Sequence, residues 1–313
     1  MAGLNLVVGF LVSVIGFSQL IRWIGKKFLP GRIYRCTVSE FASTLQLCAT
    51  YMEIRMLVEI GMWGGGFGPD VVSTLLFLLF LAHGFTFNGA SANPSVSLQE
   101  FLLNDSSFID TGLKLVVQFG GIEAARLLTR QYWRLELTQF HTIQMMMLDD
   151  CSSSLQTTVA QGIFVEALSA FCYHIILLRF QKTRMIYRAP LLALTVTLLA
   201  YAGGPYTAGY FNPVLAYALT FSCPGKTWQE YSIVYIAGAL IGMLLALFLY
   251  NGNIPRLFQK NFLYNQKSKF RTPKAKTSKK VQSPVSKKVQ SAPKVAEKPA
   301  ETKGKKAAKE KSS

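Results

Sequence analysis

Two short stretches decide how this chain folds: ASANPSVSL, Ala90–Leu98, and YFNPVLAY, Tyr210–Tyr217. Each carries an Asn-Pro pair, Asn93-Pro94 and Asn212-Pro213, after a long apolar segment and ahead of a short one. Asn-Pro ordinarily marks a turn or a helix start in contact with water. Yet from Val71 to Gln99, and again from Ala189 to Gly225, there is no Asp, Glu, Lys or Arg. Runs of that length exceed the roughly 20 apolar residues that a bilayer-spanning helix needs. The chain therefore reads as an integral membrane protein. Hydrocarbon offers no water to an interrupted backbone, so breaks at membrane depth must be buried in protein or line an aqueous cavity. Two matched breaks point to a pore or a solute site near the bilayer midplane.

The rest of the composition agrees. Half of the 313 residues are hydrophobic and 16% are charged. The net charge of +17 is concentrated in residues 254–313, which hold 18 Lys/Arg against the three acids Glu297, Glu301 and Glu310. That segment is rich in Lys, Ser, Pro and Ala and repeats KKVQS at Lys279–Ser283 and Lys287–Ser291. It cannot bury enough apolar surface to fold and is expected to be disordered. It serves either to attract anionic membrane lipid, at about 1 kcal/mol per basic residue near the surface, or simply to solubilise the end of the chain and fix its topology. No aromatic residues interleave the basic run, which argues against nucleic acid as a partner. The five cysteines, Cys36, Cys48, Cys151, Cys172 and Cys223, suggest neither a paired framework nor a metal site.

An apolar segment over 4–25 precedes Lys26 and Lys27, the reverse of a cleaved leader's charge order, and is expected as an uncleaved helix that either spans or lies at the interface. Six further spans are expected at about 38–60, 70–88, 111–131, 157–179, 188–208 and 229–250. The first and third carry charges (Glu40, Glu53, Arg55, Glu59; Lys114, Glu123, Arg126, Arg130) that must face the bundle interior or snorkel. Basic residues in the connections place Lys26–Arg35, Arg179–Arg188 and the tail on the cytoplasmic side, and Gly61–Pro69 and the connection before the last span on the far side. On that topology the Asn104-Asp105-Ser106 sequon faces the cytoplasm. His83 and His174 are expected as packed, hydrogen-bonded residues.

Spans one to three and four to six repeat one unit. Glu40 precedes Asn93 by 53 residues and Glu166 precedes Asn212 by 46. Three spans per unit force opposite orientations in the membrane, an arrangement that forms a site at the repeat interface. After each Asn-Pro the apolar stretch, Ser95–Asn104 or Val214–Phe221, is too short to cross. At roughly 12–15 Å it covers about half of the hydrocarbon. Two such half-helices would meet N-terminus to N-terminus, with Pro in the first turn and Asn at the cap. Their dipoles would repel cations while the Asn amides donate to a passing solute.

On these residues the chain resembles the aquaporins, the major intrinsic proteins, whose signature is two re-entrant Asn-Pro-Ala half-helices in an inverted six-span repeat. The resemblance covers about 36–250 and is supported by Glu40-Phe41 with Thr44, by Gln118, Gly121 and Ala124, by Tyr206-Thr207, and by Gly238 with Gly242. It implies an all-α membrane fold: six transmembrane helices plus two re-entrant half-helices, with an extra N-terminal hydrophobic helix. The expected divisions are 1–35 (that helix and a basic connection), 36–253 (the channel domain, repeats about 36–131 and 157–250) and 254–313 (the tail). The resemblance further implies passive movement of water and small neutral solutes, glycerol and hydrogen peroxide among them, a homotetramer with one pore per subunit, and no cofactor.

The departures from the family pattern are specific. The motifs read Asn93-Pro94-Ser95 and Asn212-Pro213-Val214, and Leu215 stands where ordinary water channels carry an Arg. Carried over by spacing, the family's narrowing positions fall on Ser73 and Ala200. The implied constriction of Ser73, Ala200 and Leu215 is wide and weakly polar, with Glu40 and Glu166 bracing the loops from behind. Cys223, nine residues beyond Val214, is similar to the cysteine of the superaquaporin (unorthodox) subgroup, which implies intracellular membranes. The bulk of Phe211, Val214 and Leu215 leaves open a second class, a non-conducting scaffold whose tail binds lipid or a partner. A coupled transporter would need a titratable midplane residue, which the sequence does not offer. No nucleophile elbow, HExxH or paired-carboxylate constellation suggests an enzyme.

Overall fold

The computed structural model describes residues 2–61, 69–147, 151–252 and 254–258. Its long helices are α1 (Ala2–Phe28), α2 (Arg32–Gly61), α3 (Pro69–Thr86), α5 (Phe108–Trp133), α7 (Val159–Arg179), α8 (Met185–Thr207) and α11 (Gly238–Asn251). Between them lie the short helices α4 (Pro94–Leu102), α6 (Gln139–Met146), α9 (Pro213–Leu219), α10 (Trp228–Tyr231) and α12 (Pro255–Phe258). A π-helical turn, Ser232–Ala237, joins α10 to α11. Four helical stretches are long and apolar enough to cross a membrane: Gly3–Phe28, Val159–Arg179, Met185–Thr207 and Trp228–Asn251. Asp70–Thr86 is apolar but shorter.

Helices α2 to α5 and α7 to α11 form two matching units. In each, the first and third long helices pack together through a glycine that allows close approach. A Cβ on Gly121 of α5 would lie 2.8 Å from Thr44 Cβ and 2.9 Å from the Phe41 carbonyl oxygen of α2. A Cβ on Gly242 of α11 would collide with the Ala167 carbonyl oxygen of α7. The second helices meet across the units. Gly84, near the end of α3, touches Ala189, near the start of α8, so these helices run antiparallel and the units are inverted. Helices α4 and α9 each touch the other unit's long helices as well as one another.

Helix α1 lies along α2. Phe10 stacks on Tyr132 at 4.2 Å, and Arg22, 2% exposed, donates to Ser43 Oγ (2.9 Å) and Gln46 Oε1 (3.0 Å). The charges that weaken α2 as a span are all partnered. Glu53 accepts from Trp133 Nε1 (2.7 Å) and Arg55 pairs with Glu59 (2.6 Å).

Two sequence expectations change. Cys151 and Cys223 form a disulfide with Cα atoms 5.2 Å apart, so the cysteines include one pair. It ties the connection between the two units to the turn after α9, a pairing of distant segments that spacing alone does not reveal. Second, Ile254 is fully buried against Leu178, Met243 and Leu247, so the packed fold includes the first residues of the stretch assigned to the tail. Arg256 also donates to the Phe101 and Ser106 carbonyls at the end of α4. The remainder of the tail, 259–313, lies outside the described residues, as do residues 62–68 of the far-side connection.

Candidate pore between two Asn-Pro half-helices

Both half-helices start by the same local chemistry. Asn93 has extended backbone, and its side-chain oxygen accepts from the Ser95 N–H at 2.9 Å; Pro94 fills the first turn. Asn212 does the same for the Val214 N–H at 3.1 Å, ahead of Pro213. An N-cap side chain satisfies one of the otherwise orphaned first-turn donors, and Pro removes another at no cost. Asn212 Nδ2 also donates to the Ala92 carbonyl at 2.9 Å, which joins the two motifs directly. Two helix N-termini, the positive ends of their dipoles, thus converge on one point.

The residue before each Asn is held in a left-handed conformation: Ala92 has φ 48° and Phe211 φ 35°. Non-glycine residues there cost energy and persist only where their surroundings enforce the geometry. A buried glutamate does so in each case. Glu40 accepts from the N–H groups of Ser91 and Ala92, both at 3.0 Å, and from Gln118 Nε2 at 3.1 Å. Glu166 accepts from the N–H groups of Tyr210 (3.1 Å) and Phe211 (2.6 Å) and from Thr207 Oγ1 (2.6 Å). Ser91 Oγ also donates to Glu40 at 3.4 Å, and in both loops the carboxylate takes backbone N–H groups that would otherwise be orphaned in the interior, at about 1–3 kcal/mol each.

Asn93 and Asn212 line one cavity of about 470 Å³. Its wall is more apolar than polar, with Phe80, Phe87, Tyr173 and Phe211 among the lining residues; its polar groups include the two asparagines and the charged Glu100, Asp105 and Arg188. His83 and Gln99 line it too; Gln99 is hydrogen-bonded to His174 Nδ1, which keeps that buried histidine partnered. Such a lining, largely apolar with a few convergent polar groups, suits a small solute.

Of the sequence-selected residues, the structure brings Asn93, Asn212, Ala200 and Leu215 to the cavity. Pro94, Ser95, Pro213 and Val214 form the first turns behind them. Ser73 lies in α3, partly exposed, and is not among the cavity's lining residues. Cys223 is away from the cavity, in the disulfide.

Sequence reasoning missed three further groups. Tyr51 and Tyr210 line the cavity beside Leu215. Arg55 and Arg126 donate to the Leu219 and Tyr217 carbonyls, where cations complement the C-terminal end of α9. Helix α6 lies in the connection after α5, its His141 buried beside Glu53. The signal for Arg55 and Arg126 was present, since a cation inside a weak span must find interior partners.

This arrangement of two convergent, glutamate-cradled half-helices in inverted units defines a membrane channel protein. Comparison with known proteins specifies it. The chain is 48% identical over 278 residues to Aquaporin-12 of Mus musculus, covering 89% of this chain and 96% of that protein. It is 46% identical over 276 residues to Putative aquaporin-12A of Homo sapiens, covering 88% and 90%. It is 30% identical over 260 residues to Aquaporin-11 of Rattus norvegicus, covering 83% and 93%. No family model matches the chain. The chain belongs to the aquaporin family, within its superaquaporin subgroup and to the aquaporin-12 type. It is an integral membrane protein and a channel of that family, and the relatives are channels rather than enzymes.

Proposed function

We propose that the protein conducts water and small neutral solutes, glycerol and hydrogen peroxide among them, passively through the cavity between α4 and α9. The observation that carries this reading is the convergence of Asn93 and Asn212 on one cavity, joined by the Asn212–Ala92 hydrogen bond. Helices α2, α3, α5, α7, α8 and α11 serve as the six crossing helices, and α1 crosses beside α2. The positive dipole ends disfavour cations, and amide hydrogens of the two Asn side chains present donors to a passing oxygen. Glu40 and Glu166 hold the half-helices in place, while Ala200 and Leu215 narrow the path without a charged group. A wall this apolar admits a polyol as well as water.

The same reading extends to a homotetramer in an intracellular membrane, with the basic tail drawn to anionic headgroups. One observation favours the non-conducting scaffold as a second reading. The cavity's lining stops at Tyr51, Ala200, Tyr210 and Leu215, and α3 contributes only Phe80 and residues after it. Stopped-flow light scattering on proteoliposomes separates the two. A channel gives osmotic water flux and then glycerol flux above empty liposomes, and both fall in the folded Asn93→Ala/Asn212→Ala double variant. A scaffold gives neither, with or without the substitutions.

A further inference from the structure

Tyr51, Tyr210 and Leu215, which line the cavity, belong with Leu76 and Leu79 of α3 to one buried cluster. The leucines among them are held by packing. Tyr210 differs because its position is fixed by polar contacts from outside the path. Arg55 Nη1 donates to its hydroxyl at 2.8 Å, which leaves the Tyr210 O–H free to donate to Ser154 Oγ at 2.9 Å. The ring meets Tyr51 edge-on at 6.2 Å and lies 5.7 Å from Tyr235.

Both holders belong to one tethered assembly. Arg55 also donates to the Leu219 and Ser152 carbonyls, at 2.7 and 3.2 Å. Ser154 donates its N–H to Thr220 Oγ1 at 2.9 Å. The Ser152–Ser154 segment adjoins Cys151, which is bonded to Cys223 three residues beyond Thr220. Covalent closure keeps the segment against Tyr210; without it the segment would pay ordering entropy to stay there.

We propose that Tyr210 sets the constriction at the Cys151–Cys223 end of the pore, with Arg55 and the disulfide-tethered Ser152–Ser154 segment as its positioning groups. The proposal rests on the channel reading above. Cleavage of the disulfide by a thiol or dithiol reductant releases the segment. The reductant's two thiols become a disulfide, and Cys151 and Cys223 take up the two electrons and two protons and end as thiols. Ser154 then leaves the Tyr210 hydroxyl, the ring gains freedom to turn from the path, and the cavity extends toward that face. The disulfide-bonded form is the narrow state.

The test uses full-length protein in proteoliposomes, with water, glycerol and a larger polyol as probes. Tyr210→Phe removes both hydroxyl bonds and keeps the disulfide and the ring's packing. It is expected to raise glycerol flux at least about fivefold, the shift that even one of the two lost hydrogen bonds makes in a two-state equilibrium. It is also expected to admit the larger polyol, a change in size limit that a merely structural role would not produce. Reducing the wild-type disulfide, with loss of the bond confirmed by mass spectrometry, is expected to do the same, and to add little to Tyr210→Phe. Folded Tyr210→Phe with wild-type flux and size limit overturns the proposal even if the reduced protein unfolds. Flux that rises in Tyr210→Phe but not in folded, reduced wild type overturns the role of the disulfide. Absence of flux in every form, Tyr210→Phe included, overturns the channel reading itself, an outcome distinct from a wild-type-like Tyr210→Phe.

Discussion

In the first repeat, Glu40 shares its loop with Ser91 Oγ, Ser97 Oγ and Gln118, a cluster in which several groups can exchange partners. In the second, Glu166 faces two backbone N–H groups and the Thr207 hydroxyl within largely apolar surroundings. The helices around them differ in the same way. Those of the second repeat are apolar enough to cross a membrane on hydropathy alone, whereas α2 and α5 carry charges that must be partnered by Trp133, Glu59 and backbone carbonyls. The same backbone geometry, a left-handed residue ahead of an Asn-capped half-helix, is reached from either side. What the comparison teaches is that the carboxylate and the Asn-Pro pair specify the motif, while the surrounding helices need only supply a dry wall.

The largest effects are expected where this comparison can be broken. Glu166→Leu orphans two N–H groups and a hydroxyl and is expected to cost about 3–6 kcal/mol. Glu40→Leu, whose Ser91 and Gln118 can re-pair with Ser97, is expected to cost about 2–4 kcal/mol. Thermal unfolding of the two purified variants in one detergent checks the order; an equal or larger loss at Glu40 would remove the distinction. Next come the glycine contacts. Gly242→Ala drives a methyl into the Ala167 carbonyl and is expected to lose about 2–3 kcal/mol, whereas Gly121→Ala, facing Thr44 and the Phe41 carbonyl at longer range, should lose less. Equal losses would mean that the α2–α5 contact is as unyielding as α7–α11.

Smaller still is the difference between the two asparagines. Asn212→Ala also removes the bond to the Ala92 carbonyl, so it is expected to be less stable than Asn93→Ala by about 1 kcal/mol. Matching melting temperatures would show that the cross-motif bond contributes nothing. The smallest effect is expected at Arg22, a buried cation whose Nε and Nη1 find no partner among the described residues. A buried charge without a counter-ion is poor support for a fold. Arg22→Met is therefore expected to leave the melting temperature unchanged or raise it, and a clear drop would mark Arg22 as the anchor of α1.

Much of this was legible in the chain. The starts of α4 and α9 are legible because an Asn cap acts over two residues, whereas Glu40 and Glu166 reach N–H groups 52 and 45 residues away, and only their matched placement in the two repeats pointed to them. The left-handed residues were not legible, since Ala92 and Phe211 are not types that advertise positive φ; the glutamates impose it. The Cys151–Cys223 bond joins positions 72 apart, and an odd cysteine count gave no reason to expect it. Ser73 was carried over from the family pattern by spacing, but lining the cavity depends on how α3 is rotated, which spacing does not fix. Tyr210 was overlooked because its role lies in the hydroxyl's partners on α2 and on the inter-repeat connection, both remote in sequence.

The central claim, that the path runs past the Asn-Pro half-helices, is tested most directly by a cysteine placed on either side of one turn. Leu215 lines the cavity, whereas its neighbour Val214 is fully buried and is not among the lining residues. Water flux through Leu215→Cys proteoliposomes should be blocked by a small membrane-impermeant thiol reagent, and flux through Val214→Cys should not change beyond the wild-type background. Blockage at neither position, or equally at both, would contradict the pore described here.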